Sequence, residues 1–282
     1  MSKVWFVTGS SRGLGRSVVV AALDAGDRVV ATARKAATLD DLVARYGDRV
    51  LPVALDVTDE EAVRGAVREG LEHFGRLDVV VNNAGYGDLA SVEDVTTEDF
   101  RAQIDTNFYG VVHVTRAVVP VLRRQGAGHI IQVSTLGGRI GTVGLAAYQS
   151  AKWAVGGFST VLAQEVAPFG VKVTVLEPGG MRTDWAGSSM TVPPISEPYQ
   201  QTVGVFADMI RNRAQETVAA NAADPDRVAR TVVELAGRPD APVRLLLGRD
   251  AVQYAAAAAE ALAESDEKWR PLSESVWESP AS

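Results

Sequence analysis

Tyr148 and Lys152 are four residues apart, a spacing that places two side chains on the same face of a helix, one turn apart. A free tyrosine titrates at about pH 10, and a neighbouring cation lowers that pKa because it favours the phenolate. A phenol beside an ammonium can therefore donate or accept a proton near neutral pH. We predict an acid–base site here; the alternative is an ordinary pair on a solvated helix face.

A glycine-rich turn follows the first strand predicted by the sequence, at residues 4–8. The turn reads Thr8-Gly9-Ser10-Ser11-Arg12-Gly13-Leu14-Gly15 and leads into a helix expected at residues 16–25. A strand, a glycine turn and a helix N-terminus form an anion site, because backbone N–H groups and the helix dipole point at a phosphate that glycines allow to approach. The spacing is G-x-x-x-G-x-G, which differs from the G-x-G-x-x-G of the standard dinucleotide fingerprint.

The residues at the end of the second predicted strand, residues 29–33, indicate which nicotinamide cofactor the fold would bind. In NAD-binding folds an acidic residue near the end of this strand commonly binds the ribose 2′-hydroxyl. Here that position is Ala33, and Arg34 and Lys35 follow it, with Arg12 nearby in the first turn. Cations without an acid suit a 2′-phosphate, so the sequence favours NADP(H) over NAD. The alternative is an ordinary basic turn.

Polar and small residues follow the ends of the later strands, which we expect at residues 51–55, 78–81, 129–134, 171–176 and 243–247. These residues are Asp56, Asn82-Asn83-Ala84-Gly85, Thr135 and Pro178-Gly179. The carboxyl ends of parallel strands meet at one edge of a sheet, where ligands bind. The pattern therefore predicts a ligand site at this edge.

Strands alternate with amphipathic helices, which we expect at 60–74, 107–124, 148–166, 224–235 and 250–264. This alternation predicts an α/β fold, a Rossmann-type doubly wound parallel sheet of about seven strands with helices on both faces. Gly156-Gly157 within a helix predicts close packing against a neighbour. The less regular segment 186–216, with three prolines, is where a substrate lid is expected.

Composition narrows the class of protein. The chain has 282 residues, 46% of them hydrophobic, a formal net charge of -7 and no cysteine. We expect one catalytic domain at 1–265 and a polar C-terminal tail at 266–282. The negative charge disfavours nucleic acid and anionic membranes as partners. With no cysteines and no long apolar segment, we expect a cytoplasmic protein that is not inserted in a membrane.

The chain resembles the compact, single-domain short-chain dehydrogenases/reductases over about residues 3–250. The resemblance rests on motifs in the family's order and spacing: Thr8-Gly9-x-x-x-Gly13-x-Gly15, Asp56, Asn82-Asn83-Ala84-Gly85, Asn107, Tyr148-x-x-x-Lys152 and Pro178-Gly179-x-x-x-Thr183. The middle of the chain also resembles the branch with 17β-hydroxysteroid and retinol dehydrogenases. The stretch Glu-Pro-Gly-Gly-x-Arg-Thr-Asp-Trp resembles that of bacterial oxidoreductases of poorly defined activity.

The resemblance implies catalytic roles. Tyr148 would be the general acid for carbonyl reduction or the base for alcohol oxidation, and Lys152 would lower its pKa and bind the nicotinamide ribose. Asn107 would hold a water that links Lys152 to solvent. A serine thirteen residues before the tyrosine usually orients the substrate oxygen, and here that position is Thr135, with Ser134 as its neighbour. Successive strand residues face opposite sides, so we favour Thr135 over Ser134.

The resemblance also implies the cofactor contacts, from the glycine turn to the end of the sixth strand. Asp56 and Val57 would line the adenine, Asn83 the adenosine ribose, and Met181 and Thr183 the carboxamide. The full implied set is Gly9, Ser11, Arg12, Gly13, Leu14, Gly15, Arg34, Asp56, Val57, Asn83, Ala84, Gly85, Tyr148, Lys152, Pro178, Gly179, Met181 and Thr183.

The expected function is NADP(H)-dependent interconversion of a ketone and a secondary alcohol. Apolar residues at Leu136, Ile140, Val143, Leu145 and Trp185 favour an apolar substrate. Two alternatives stay open: a non-enzymatic NADP-sensing regulator, and a sugar-nucleotide epimerase or dehydratase on the same fold.

The resemblance implies a homodimer or homotetramer formed through helices 107–124 and 148–166. No metal site is expected, because His73, His113 and His129 have no ligand-like spacing. No Gly-x-Ser-x-Gly sequence supports a hydrolase.

Overall fold

A computed structural model describes residues 2–182, 190–216 and 222–277. Its strands form one parallel sheet in the order β3-β2-β1-β4-β5-β6-β7. They are β1 (Val4–Val7), β2 (Arg28–Ala33), β3 (Val50–Ala54), β4 (Val79–Asn82), β5 (Gly128–Val133), β6 (Val171–Pro178) and β7 (Arg244–Leu247). The first three strands extend the sheet from β1 to one side, and β4 begins the other side next to β1. The predicted Rossmann-type fold is confirmed.

Helices connect the strands and lie on both faces of the sheet. They are α1 (Gly13–Asp24), α2 (Asp40–Tyr46), α3 (Glu60–Phe74), α4 (Thr97–Ile104), α5 (Gly110–Gln125), α6 (Ala146–Val166), α7 (Val205–Glu216), α8 (Pro225–Gly237) and α9 (Arg249–Glu274). Asp59 caps α3 by accepting hydrogen bonds from the N–H groups of Glu61 and Ala62, and Gly75 ends that helix at a positive φ of 78°. Among the described residues, no helix has the length and apolarity needed to span a bilayer.

Two apolar cores flank the sheet because its strands are buried on both faces and their side chains alternate. Trp5 and Val7 of β1 pack with Val18 of α1 and Val232 of α8. The residues between them in sequence, such as Phe6, pack on the other face with helices α3, α5 and α6. Near-continuous apolar strands are typical of parallel sheets covered on both sides.

Several element boundaries differ from those that the sequence predicts. The sixth strand continues to Pro178, and the last helix continues to Glu274, beyond the expected end at residue 264.

Gly156 does pack closely, because an added Cβ would lie 3.0 Å from Nη2 of Arg244, but Gly157 faces open space. Thr183 and Trp185 lie outside the described residues.

His129 of β5 is 2% exposed and packs inside the sheet. Its Nε2 lies 2.9 Å from Oγ1 of Thr174, whose hydroxyl donates to the carbonyl of Pro242 at 2.6 Å. Because the Thr174 hydroxyl donates its proton to Pro242, Nε2 of His129 must be the donor in its hydrogen bond to Thr174. The other ring nitrogen, Nδ1, has no hydrogen-bond partner among the described residues. Burial, helped by Lys172, lowers the pKa of His129 from 6.5 to about 3.

This buried imidazole predicts a loss of stability in acid. The folded state keeps His129 neutral, whereas the unfolded chain binds a proton below pH 6.5, so stability falls as the pH drops from 6.5 toward about 3. At about pH 5 the loss is on the order of 2 kcal/mol. In His129→Gln, an amide nitrogen can replace Nε2 and does not titrate. Between pH 7 and pH 5, the free energy of unfolding measured in urea should therefore fall by about 2 kcal/mol less in the variant than in the parent chain.

The matched control is His73→Gln, because His73 is exposed at the end of α3. It should keep the pH dependence of the parent chain. An unchanged pH dependence in His129→Gln would contradict the assignment.

Candidate active site

The glycine turn between β1 and α1 has the conformation that an anion site needs. Gly9 and Gly13 have φ values of 68° and 56°, which other residues rarely adopt. Gly15 has no room for a side chain, because an added Cβ would collide with the Gly9 carbonyl and the amide of Asn83. The backbone can therefore approach a ligand closely at the N-terminus of α1, and this geometry fits the pyrophosphate of a dinucleotide.

Asn83, just after β4, fixes this turn from the side. Its Nδ2 donates to the carbonyls of Thr8 and Gly9 at 3.0 and 3.1 Å. In return, Oγ1 of Thr8 accepts from the N–H groups of Asn83 and Ala84 at 2.9 and 3.0 Å. The side-chain nitrogen predicted to face the adenosine ribose is thus engaged within the protein, where it supports the phosphate turn.

The residues predicted to contact the adenosine end lie along the same edge of the sheet. Ala33 is buried at the end of β2, and Arg34, Lys35 and Arg12 are exposed. Asp56 is exposed after β3, where its carboxylate accepts from the N–H and hydroxyl of Thr58 at 3.0 and 2.8 Å. This end of the edge therefore presents arginine and lysine side chains where an NAD-binding fold commonly has an acid.

The residues after β5 divide into two roles. The hydroxyl of Thr135 forms a hydrogen bond with the Tyr148 side chain. Ser134 is buried and points the other way, with its hydroxyl donating to the carbonyl of Lys152 at 3.3 Å. The alternation expected of a strand therefore brings Thr135, and not Ser134, to the tyrosine.

Tyr148 and Lys152 lie on one face of α6, as the spacing predicts, and both are buried. The Lys152 ammonium is 5.7 Å from the centre of the Tyr148 ring and donates to the carbonyl of Val133 at 2.8 Å. Burial raises the pKa of Tyr148, against a smaller lowering by the Thr135 hydrogen bond. Burial therefore outweighs the lowering that the sequence predicts from Lys152, and the expected net direction of the Tyr148 pKa is wrong. Burial also lowers the pKa of Lys152 to about 8.

Asn107 is fully buried in a π-helical segment, Asp105–Tyr109, between α4 and α5. The predicted single helix 107–124 misses this segment. The Nδ2 of Asn107 donates to the carbonyls of Gln103 and Tyr86 at 2.8 and 2.7 Å, and its Oδ1 accepts from the Tyr86 N–H at 3.2 Å. The Gln103 carbonyl is the one that an α-helical N–H at position 107 would use. The π register thus lets the side chain of Asn107 face the sheet edge.

Asn107 and Lys152 converge on Gly85. An added Cβ at Gly85 would lie 2.5 Å from Oδ1 of Asn107 and 3.5 Å from Nζ of Lys152. The structure therefore brings together Thr135, Tyr148, Lys152 and Asn107. Gly85, three residues after the end of β4, lies beside them.

At the end of β6, the backbone of Pro178-Gly179-Gly180 contacts the start of α9. The carboxylate of Asp250 accepts from the Gly180 N–H at 2.7 Å and fills the space beside Gly179. Met181 forms a bridge with Ala223, which holds this stretch against the start of α8. Sequence reasoning missed Asp250, and an aspartate at the start of a helix gives no signal that it contacts a distant turn.

The described part of the expected lid segment, residues 190–216, packs against the loop after β4. Leu89 and Leu145 are buried together with Val203 in an apolar cluster that also includes Met190 and Ile195. The Leu89 N–H donates to the carbonyl of Thr191 at 3.0 Å, which anchors this segment to the loop after β4.

Two of the five apolar residues that favoured an apolar substrate pack against a helix. Leu136 and Ile140 pack against Ala251 and Ala255 of α9. They therefore belong to a helix contact and not to an open pocket.

Comparison with known proteins agrees with this geometry. Residues 3–191 match the family described as short chain dehydrogenase. Oxidoreductase BOA17 of Botryotinia fuckeliana is 61% identical over 97% of this chain and 98% of its own length. A crystal structure of a short-chain dehydrogenase from Streptomyces avermitilis superposes with a TM-score of 0.91 at 34% identity, covering 99% of both chains.

Solved neighbours include complexes with nicotinamide cofactors. An alcohol dehydrogenase from Thermococcus sibiricus, complexed with 5-hydroxy-NADP, has a TM-score of 0.71 at 28% identity and covers 88% of this chain and 97% of its own. A 3-ketoacyl-(acyl-carrier-protein) reductase from Brucella melitensis, complexed with NADH, has a TM-score of 0.72 at 28% identity and covers 87% of this chain and 96% of its own.

The fold, the glycine turn and the Tyr148–Lys152 site define a nicotinamide-dependent oxidoreductase of the Rossmann type. More particularly, the chain belongs to the short-chain dehydrogenase/reductase family. It is an NAD(P)-dependent dehydrogenase or reductase.

Proposed function

We propose that the protein interconverts a ketone and a secondary alcohol, with Tyr148 as the general acid or base. The observation that carries this proposal is the cluster of half-buried Thr135 with buried Tyr148 and Lys152 at the carboxyl edge of the sheet. The bound nicotinamide supplies or accepts the hydride. A substrate oxygen within reach of both hydroxyls receives a proton from Tyr148 and a hydrogen bond from Thr135 in the reductive direction.

Proton supply to Tyr148 follows from its neighbours. Burial favours the neutral phenol, so the group holds its proton until the substrate oxygen gains negative charge. The ammonium of Lys152 and the hydroxyl of Thr135 then stabilise the phenolate that remains. Asn107, which faces the same space near Gly85, positions a water that returns a proton through Lys152.

The experiment is NADPH oxidation with cyclohexanone, 2-octanone and acetophenone as probes. Tyr148→Phe should lower kcat by a factor of roughly 100 to 10,000, because the proton donor is lost while the ring stays in place. Thr135→Ala should also lower kcat strongly, because it removes the hydroxyl that contacts both Tyr148 and substrate.

Ser134→Ala is the matched control, since it deletes the neighbouring hydroxyl that faces the Lys152 carbonyl. It should leave kcat within a few-fold of the parent value. Turnover that survives Tyr148→Phe would exclude the proposed proton donor, and a reversed order of the Thr135 and Ser134 variants would move the substrate hydroxyl to Ser134.

We propose NADP(H) as the preferred cofactor. Arg34 directly follows β2 and Arg12 lies in the glycine turn, both are exposed, and Ala33 stands where an acid would repel a 2′-phosphate. We predict a higher kcat/KM for NADPH than for NADH. Arg34→Glu should reverse the order, because it places a carboxylate beside the 2′-phosphate.

The control for Arg34→Glu is Arg230→Glu, the same change at an exposed position of α8. It should keep the parent preference for NADPH. A parent enzyme that uses NADH clearly better than NADPH would overturn the proposal.

We propose an apolar substrate and a homodimer or homotetramer. The apolar cluster of the lid segment supports the proposal of an apolar substrate. Trp153 and Val161 support the proposed assembly, because they lie on one face of α6 and are 52% and 55% exposed. The cytoplasmic location stays a prediction.

Light scattering at micromolar concentration should give two or four times the chain mass of 29.9 kDa. Trp153→Glu should shift the mass toward the monomer, because it places a charge in the apolar contact. A monomeric mass for the parent chain would contradict the assembly.

A further inference from the structure

A buried carboxylate lies behind the loop 135–139, and neither the implied catalytic and cofactor contacts nor the proposed chemistry uses it. Glu177, near the end of β6, is 0% exposed. Its Oε2 accepts from Nε of Arg139 at 2.6 Å, and its Oε1 accepts from Nε of Arg244 at 2.8 Å. Nη2 of Arg139 also contacts Oε2, and Nη2 of Arg244 also contacts Oε1. One carboxylate therefore holds two guanidinium groups, each on its own oxygen.

The two arginines come from different elements next to the active site. Arg139 follows the short 3-10 turn Leu136–Gly138, which Thr135 caps through a hydrogen bond from the Gly137 N–H. Arg244 begins β7 and lies across Gly156 of α6, which is one helical turn beyond Lys152. The carboxylate of Glu177 thus links the Thr135 loop to β6, β7 and the helix that carries Tyr148.

The loop is also packed tightly against α6. An added Cβ at Gly138 would lie 2.8 Å from Oγ of Ser134 and 3.2 Å from the carbonyl of Lys152. The Gly138 carbonyl accepts a long hydrogen bond from Nη2 of Arg244 at 3.5 Å. A shift of Arg139 would therefore move the loop relative to α6 and change the Thr135–Tyr148 contact.

We propose that Arg139 and Glu177 are positioning residues, whose ion pair holds the loop 135–139 so that the hydroxyl of Thr135 faces Tyr148. This inference rests on the proposed function for its kinetic effect. Removing a charge from a buried cluster is destabilising when it leaves a partner uncompensated. Arg139→Met leaves Glu177 paired with Arg244, so it is the variant of choice, and Glu177→Gln is the second.

The structural step is tested without substrate, by hydrogen exchange of the peptides that cover residues 134–140. The N–H groups of Gly137, Gly138 and Arg139 are hydrogen-bonded within this loop at 3.3, 2.9 and 2.8 Å. Arg139→Met and Glu177→Gln should speed their exchange while the strand β5 stays protected. Arg270→Met is the matched control, because it breaks an exposed ion pair on α9. Unchanged exchange in both variants would overturn the proposal.

The kinetic step uses a double-mutant cycle with Thr135→Ala. Arg139→Met should lower kcat about 10- to 100-fold with less than about a twofold change in the KM for NADPH, because only the substrate-side hydroxyl moves. In the Thr135→Ala background, the same change should cost less than about twofold. Arg139→Lys should recover part of kcat, since its ammonium can reach Glu177 as a single charge.

The outcomes separate this proposal from the proposed function. An equal loss of kcat in the parent and Thr135→Ala backgrounds would show a general structural effect and overturn the positioning role. If none of the probe ketones is reduced, the proposed function fails for them, whereas the exchange result still decides whether the ion pair holds the loop.

Discussion

The site depends on the burial of a phenol and an ammonium side by side at the edge of a parallel sheet. Tyr148 and Lys152 are 8% and 4% exposed. Desolvation disfavours the charged form of each, which raises the pKa of Tyr148 and lowers that of Lys152 to about 8. Each shift disfavours the charged form, but a pKa of about 8 leaves Lys152 mostly protonated at neutral pH, so an ammonium lies beside a neutral phenol. The surrounding hydrogen bonds fix where this pair lies.

Each neighbour of the pair is held by backbone that cannot move freely. The Lys152 ammonium binds a strand carbonyl, and Asn107 binds the carbonyl that the π-helical register leaves available. Asn83 is similarly committed to the carbonyls of the glycine turn. A single sheet edge therefore places the phosphate turn and the acid–base pair in a fixed relation, which is what hydride transfer between two bound molecules requires.

Local patterns in the sequence predicted the fold and most of this arrangement. The four-residue spacing of Tyr148 and Lys152 and the alternation that separates Ser134 from Thr135 are properties of a helix and a strand, and the structure keeps both. The π segment was missed because an i→i−5 register leaves no periodic trace. The direction of the Tyr148 pKa was wrong because burial is a tertiary property. The contacts of Glu177 span 38 and 67 residues, so no local pattern could reveal them.

A buried carboxylate paired with two guanidinium groups lies behind the site. Burying Glu177 has a large desolvation cost, which two arginines that are about one-third exposed can offset because their other nitrogens stay near water. Apolar side chains could fill the same volume, but van der Waals packing is not directional and would not fix the orientation of the loop after β5. A carboxylate with one guanidinium on each oxygen fixes both distance and angle, and the loop beside it carries the Thr135 hydroxyl that forms a hydrogen bond with Tyr148. The ionic cluster is thus placed where orientation matters more than stability, while the acid–base pair itself keeps the low polarity that sets its pKa values.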